Sequence, residues 1–160
     1  KIPITKHCDY RSINLPKNSA DLIIIPNLMH HIFDHEILLK QCKKILKSSG
    51  MLYIFEPTIR EIHQAPDDYF RFTPYSLKKI LRKIGFNKLN HNFCGGPFTA
   101  AAYCLDQALQ YVPNKKKSEF KRKFYNNDIN AFLKYEKSYK TNLHRKNTIF
   151  PMSFSITASV

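Results

Sequence analysis

What this sequence lacks narrows it first. No apolar run approaches the ~20 residues needed to span a bilayer, and no signal-peptide pattern is visible, so the expected compartment is the cytoplasm. The four cysteines, Cys8, Cys42, Cys94 and Cys104, include no CxxC pair and no regular spacing. They are expected as reduced thiols rather than a disulfide frame. There is no internal repeat. Acidic side chains are scarce, 12 against 26 basic ones, for a formal charge of +14. That imbalance invites a nucleic-acid or anionic-surface reading. The excess is spread along the chain and is mostly lysine, so nucleic acid is not the expected partner. What remains is 160 residues, 43% hydrophobic and 24% charged, the proportions of one globular domain with room for a core.

The most informative stretch runs from His63 to Phe86, HQAPDDYFRFTPYSLKKILRKIGF. Its second half predicts a helix. Thr73 can cap it, Pro74 suits the first helical position, and Leu77, Ile80, Leu81 and Ile84 recur at i, i+3, i+4, i+7. Gly85 supplies a left-handed stop and Phe86 can fold back on the apolar face. The first half crowds His63, Asp67, Asp68, Tyr69 and Arg71 into a short loop stiffened by Pro66. Loops held by a rigid scaffold often carry binding and catalytic groups. The plainer alternative is a solvated linker in which Arg71 and Asp68 pair with each other.

The rest of the chain alternates. Residues Ile2 to Cys8 suggest a short extended segment, with Pro3 favouring an edge or a strand start. Asp21 to Pro26, DLIIIP, is a short aliphatic run of the kind buried on both faces of a parallel sheet. After the loop Asn27–Phe33, Asp34 can cap a helix to about Ser48, with Glu36 in its first turn and Leu38, Leu39, Cys42, Ile45 and Leu46 as its stripe. Gly50 is expected to end that helix before a second buried strand, Met51 to Pro57. Alternation of strand and helix predicts a parallel sheet with helices on its faces, and ligands beyond the carboxyl ends of its strands. Those ends are Asp9–Tyr10, Pro26–Asn27 and Glu56–Pro57. Another strand is expected at Asn87–Phe93, an apolar helix at Thr99–Val112, a further helix at Asp128–Tyr139, and a last strand at Ile149–Ile156.

Three linked segments carry a resemblance. LPKNSADLIIIPNLMHHI, LLKQCKKILKSSGMLYIFEP and the HQAPDDYFRFT segment with its helix follow one another in the order and spacing of class I S-adenosylmethionine-dependent methyltransferases. The match is dense from residue 9 to about residue 90. It implies an α/β, Rossmann-like sheet, mostly parallel with helices on both faces, and with the family's strand order 3-2-1-4-5-7-6. By this likeness residues 1–93 form the core, 94–147 a helical, basic insertion, and 148–160 the final strand. The family's Gly-rich cofactor turn has no counterpart among Gly50, Gly85, Gly95 and Gly96. The resemblance therefore implies an N-terminally truncated domain, short of ~70–80 residues, or one whose cofactor site a second chain completes, or a decayed or repurposed version of the fold.

The same resemblance assigns roles. Asp9 matches the acid that accepts from the adenine amino group, and Tyr10 could lie against the ring; the plainer alternative is an exposed turn. Pro26 and Asn27 match the segment passing beneath the sulfonium of S-adenosylmethionine. His31 matches the family's Glu-His histidine, with His30 replacing the glutamate. The His30, His31, His35 cluster also invites a metal reading. No carboxylate or cysteine is clearly placed to complete a shell, and the family loop accounts for the cluster.

Methyl transfer from a sulfonium is an in-line displacement in which the protein supplies alignment and excludes water. A base is needed only for a hydroxyl or protonated amine. His63, with an unperturbed pKa of ~6.5, is the first candidate for it. Asp68 could orient it, and Glu56 could serve instead. Arg71 could bind an anionic acceptor or tie down the loop through Asp68. The segment matches a family loop over the acceptor pocket, so Tyr69, like Arg71, is expected to border the acceptor, with Tyr69 and Phe70 packing rather than acting. The expected acceptor is a sugar, a glycan intermediate or another small metabolite. Two rivals stand beside this: a non-catalytic methyltransferase-like partner subunit, and a basic RNA-binding module built on Lys115–Lys117, Lys121–Lys123, Phe124 and Tyr125.

Overall fold

Thr73 opens helix α2 (Pro74–Ile84) with a capping box. Its side chain accepts from the Ser76 N–H at 3.2 Å, and Ser76 Oγ accepts from the Thr73 N–H at 3.2 Å. Two orphan donors of the first turn are thus satisfied. Leu77 and Leu81 are fully buried. Gly85 closes the helix at φ 94°, and the Phe86 N–H returns to the Leu81 carbonyl at 3.0 Å while its ring is buried. Start, stripe and stop all lie where the sequence places them.

The computed structural model describes residues 7–123, 129–141 and 150–160. They divide into two compact units: the described residues up to Pro57 with Ile62–Asn92 and Phe154–Val160, and Thr58–Glu61 with the described part of Phe93–Ser153. In the first unit the chain forms β1 (Ala20–Pro26), helix α1 (His35–Ile45), β2 (Leu46–Pro57), α2, β3 (Asn87–Cys94) and, at its end, β4 (Ser153–Ser159). The sheet order is β1-β2-β4-β3, with β1 and β2 parallel. This is the 4-5-7-6 portion of the order that the resemblance implies. Leu39, Cys42 and Ile45 of α1, Leu52 and Ile54 of β2, and Phe154 and Ile156 of β4 form the core.

Several boundaries differ from the sequence reading. Helix α1 ends at Ile45, not near Ser48, and β2 starts at once with Leu46. Serine and glycine are poor helix formers, and Leu46 instead pairs with Ala20. Gly50 therefore sits inside the strand, where a β-carbon would stand 2.9 Å from the Ala20 carbonyl oxygen. Asp34 precedes α1 without capping it; its carboxylate lies 3.8 Å from Arg11 Nε. The last strand begins at Ser153, after Pro151. Strand β1 is also not buried on both faces. Leu22 and Ile24 are 53% and 57% exposed while Ile25 is buried, because among the described residues β1 pairs with β2 alone. The expected segment Ile2–Cys8 lies largely outside the described residues, as do Phe124 and Tyr125.

The second unit is helical: α3 (Pro97–Leu109), α4 (Asn114–Lys123) and α5 (Asn130–Thr141). Glu136 of α5 caps α3, accepting from the Phe98 and Thr99 N–H groups at 3.1 and 3.3 Å and from Thr99 Oγ1 at 3.0 Å. A carboxylate there also complements the helix dipole. Helix α4 buries no residue, and Lys115, Lys116 and Lys121–Lys123 are exposed. No helix among the described residues is long and apolar enough to cross a membrane.

Candidate functional site

The register of the parallel pair sets Pro26 opposite Phe55, so the loop after β1 meets the carboxyl end of β2. Asn27 takes φ 50°, a left-handed conformation that asparagine tolerates better than most residues. Its N–H donates to the Phe55 carbonyl at 2.8 Å. Pro26 and Asn27 are both exposed at this rim.

Glu56, fully buried, organises the turn next to Asn27. Its Oε1 accepts from the Leu28 and Met29 N–H groups at 2.9 and 2.8 Å, and its Oε2 lies 2.6 Å from His30 Nδ1. One carboxylate thereby fixes the short 3-10 turn Met29–His31. Both oxygens are engaged in holding backbone and imidazole, so Glu56 positions the loop. His30 is buried beside it, and burial lowers its pKa despite the carboxylate, which alone would raise it. The neutral ring is the stable form.

The loop 63–71 closes over this turn. The Tyr69 and Phe70 N–H groups donate to the His30 carbonyl at 2.9 and 3.3 Å. His31 Nδ1 lies 2.7 Å from the Asp67 carbonyl oxygen, and its Nε2 lies 3.1 Å from His63 Nε2. His63 Nδ1 is 3.3 Å from Asp68 Oδ2, which also accepts from the His63 N–H at 3.2 Å. Arg71 grips the buried Asp68 with both guanidinium nitrogens, 2.5 Å to Oδ1 and 3.0 Å to Oδ2, and donates to the Phe70 carbonyl at 2.7 Å. That bidentate pair, then the His63 N–H and charge, hold the Asp68 carboxyl far below the usual carboxylate range, against the opposing effect of burial. The Tyr69 hydroxyl donates to Asp67 Oδ1 at 2.6 Å, which raises its pKa.

The turn at Asp9–Ser12 is built around its own aspartate: Oδ1 accepts from the Arg11 N–H at 2.8 Å and the Asp9 carbonyl from the Ser12 N–H at 3.0 Å. The Arg11 guanidinium lies 4.6 Å from the centre of the Tyr10 ring. Tyr10 and Arg11 also act electrostatically on Tyr69, so this turn stands beside the 63–71 loop. Asp9 keeps an exposed carboxylate with unused acceptor capacity, and Tyr10 a half-buried flat ring. Those features fit the adenosine end of the implied cofactor. None of the four glycines stands at this rim: Gly50 lies within β2, Gly85 ends α2, and Gly95 and Gly96 precede α3.

The sequence groups His31 with His35, a helical turn apart. The structure sends His35 elsewhere, against Phe70 and Phe72 with ring centres 5.1 and 5.3 Å away. His63, thirty-two residues on, takes that place. Cys42 lies in the core, where burial pushes its thiol up to about 12, and none of the four cysteines is in a disulfide.

Comparison with known proteins bears on the fold. A family model described as a methyltransferase domain matches residues 3–54. None of the curated proteins matches. Among solved structures, a SAM dependent methyltransferase from Archaeoglobus fulgidus superposes with a TM-score of 0.56 at 17% identity, covering 96% of this chain and 66% of that one. Haemonchus contortus phosphoethanolamine N-methyltransferase 2, solved with S-adenosyl-L-methionine, gives 0.52 at 18%, covering 95% and 36%. The cyclase SpnF gives 0.55 at 17%, covering 96% and 55%. The chain thus spans between about a third and two thirds of these proteins' lengths. Likeness to a cyclase also means that the fold does not by itself fix the reaction.

Proposed function

We propose that this chain, which has the Rossmann-like fold of S-adenosylmethionine-dependent methyltransferases, forms the acceptor side of such an enzyme and acts on a sugar, a glycan intermediate or another small metabolite. The observation that carries the reading is the meeting of His31 and His63 at the carboxyl rim of β1 and β2, 3.1 Å apart and beside the left-handed turn at Asn27. When bound, S-adenosylmethionine supplies an already activated methyl group. Asp9 and Tyr10 would hold its adenine end, with Pro26, Asn27 and His31 bordering the methyl-bearing region. A Gly-rich turn for its methionine end would come from elsewhere, a second chain being one source.

His63 would accept the acceptor's proton at Nε2, because its Nδ1 is turned to Asp68. Asp68 fixes that ring and Arg71 fixes Asp68, so Arg71 acts through the loop. Tyr69 and Phe70 shield the site from water. The preferred acceptor is a hydroxyl or a protonated amine, since those need a base. The proposed compartment is the cytoplasm.

Calorimetric titration of S-adenosylhomocysteine into the protein as its gene encodes it tests the reading. Saturable binding, weakened about tenfold or more by Asp9→Ala, is expected from the loss of a hydrogen bond to a charged acceptor. No binding, or binding indifferent to Asp9→Ala, would overturn it.

A further inference from the structure

The three histidines at the rim are arranged like ligands. One ring nitrogen from each of His30, His31 and His63 lies within 4.8 Å of the others. Each Nδ1 faces an acceptor: Glu56 Oε2 at 2.6 Å, the Asp67 carbonyl at 2.7 Å and Asp68 Oδ2 at 3.3 Å. A carbonyl oxygen only accepts, so His31 Nδ1 carries the proton. Asp68, paired with Arg71, and Glu56, already accepting two backbone N–H groups, favour the same tautomer in His63 and His30. In the neutral rings all three lone pairs then reside on Nε2.

With that tautomer two lone pairs face each other across the 3.1 Å between His31 Nε2 and His63 Nε2, an arrangement that one shared proton or a bound cation relieves. A cation between them would bind both lone pairs. Two nitrogens bound at ~2.0–2.1 Å to one tetrahedral ion stand about 3.3 Å apart, close to what is found. A single proton could bridge one pair of rings, but it would make no use of the third. Backing of each ligating imidazole by a carboxylate or a carbonyl is the usual outer shell of a metal site.

We propose that His30, His31 and His63 bind one divalent transition-metal ion, zinc by ligand chemistry, with its fourth position open on the solvent side. Imidazole donors select zinc and its neighbours over magnesium or calcium. His30 is buried whereas His63 is exposed, so the remaining position faces outward and can take a water or another oxygen ligand. The inference does not rest on methyl transfer; metal and proton compete for the one Nε2 lone pair of His63, so His63 acts as a base only in the metal-free protein.

Chelator-stripped protein, titrated with zinc and separately with cobalt(II) near neutral pH, tests it. One zinc per chain is expected by elemental analysis after gel filtration, and cobalt(II) should develop the intense visible absorption of a four-coordinate site. His31→Ala and His63→Ala, each checked for folding by circular dichroism, should abolish that signal, and Asp68→Asn should weaken zinc ~10–100-fold. His91→Ala, away from the cluster on β3, should bind as the unaltered protein does. Failure to bind one equivalent, or retention of full affinity by folded His31→Ala and His63→Ala proteins, would overturn the proposal. Should either alanine variant not fold, His63→Asn is measured in its place, and unchanged zinc affinity there overturns it equally.

Discussion

Glu56→Gln is the most revealing perturbation of this rim. The side chain keeps its size in a site that is 0% exposed, and only charge and one pair of lone electrons change. The carboxylate serves three donors, at 2.9, 2.8 and 2.6 Å. A hydrogen bond to a charged partner contributes ~1.5–3 kcal/mol against ~0.5–1.5 for a neutral one, so the exchange costs roughly 1–1.5 kcal/mol per bond. Over three bonds that is about 3–4.5 kcal/mol, offset in part by no longer burying a charge, leaving about 2–4 kcal/mol. For a chain of this size the melting temperature should fall by roughly 5–15 °C. The amide has a further effect. If its NH2 faces His30, Nδ1 must become the acceptor, and the ring proton moves to Nε2, towards the other two histidines. Zinc affinity should then fall together with stability. Urea denaturation of the metal-free protein measures the first effect and zinc titration the second. A variant within ~0.5 kcal/mol of the parent, the range of an ordinary surface substitution, would refute this account of Glu56.

Other positions give sharper local outcomes. His30 has a lowered pKa in the folded state, so below the ordinary ~6.5 the unfolded chain binds a proton that the folded chain refuses. The stability it contributes is fully present above that value and is lost as the pH falls towards the folded-state pKa; urea midpoints constant from neutrality down to pH ~5 would contradict this. Asp68, whose carboxyl is also depressed, adds a second loss only below the ordinary carboxylate value of ~3.9. Gly50→Ala should cost about 1–3 kcal/mol in chemical denaturation, since the new methyl meets the Ala20 carbonyl and the Leu46 side chain at 2.9 and 2.8 Å. Thiol titration should find Cys8 and Cys104 reactive in the native protein and Cys42 reactive only after unfolding.

Local rules make α2 legible, because its cap, apolar spacing and left-handed stop all fall within thirteen residues. The same rules misplace the end of α1. There the decisive interaction is long-range: Leu46 pairs with Ala20, and a glycine that reads as a helix stop instead admits a neighbouring carbonyl. Exposure of Leu22 and Ile24 follows from strand order, which the run DLIIIP cannot carry. At the site, the pairing of Asp68 with Arg71 is readable three residues apart. Convergence of His63 on His30 and His31 is not, because it depends on two loops sharing one rim. The signal that points to it is the order of the segments: both loops follow the carboxyl ends of neighbouring parallel strands. Glu56 reads as a base because it ends a strand, and only the structure gives its oxygens to Leu28, Met29 and His30.

The proposed function rests on one rim, formed where β1 and β2 end, being the place at which a methyl donor meets its acceptor. Nuclear magnetic resonance of isotope-labelled protein, with backbone amides and imidazole nitrogens followed during addition of S-adenosylhomocysteine, tests that claim most directly. The account predicts shifts concentrated at Asp9–Arg11, Asn27–His31 and the 63–71 loop, with helix α4 unaffected. Shifts concentrated on α4, or saturation with the His31 and His63 rings unchanged, would contradict it.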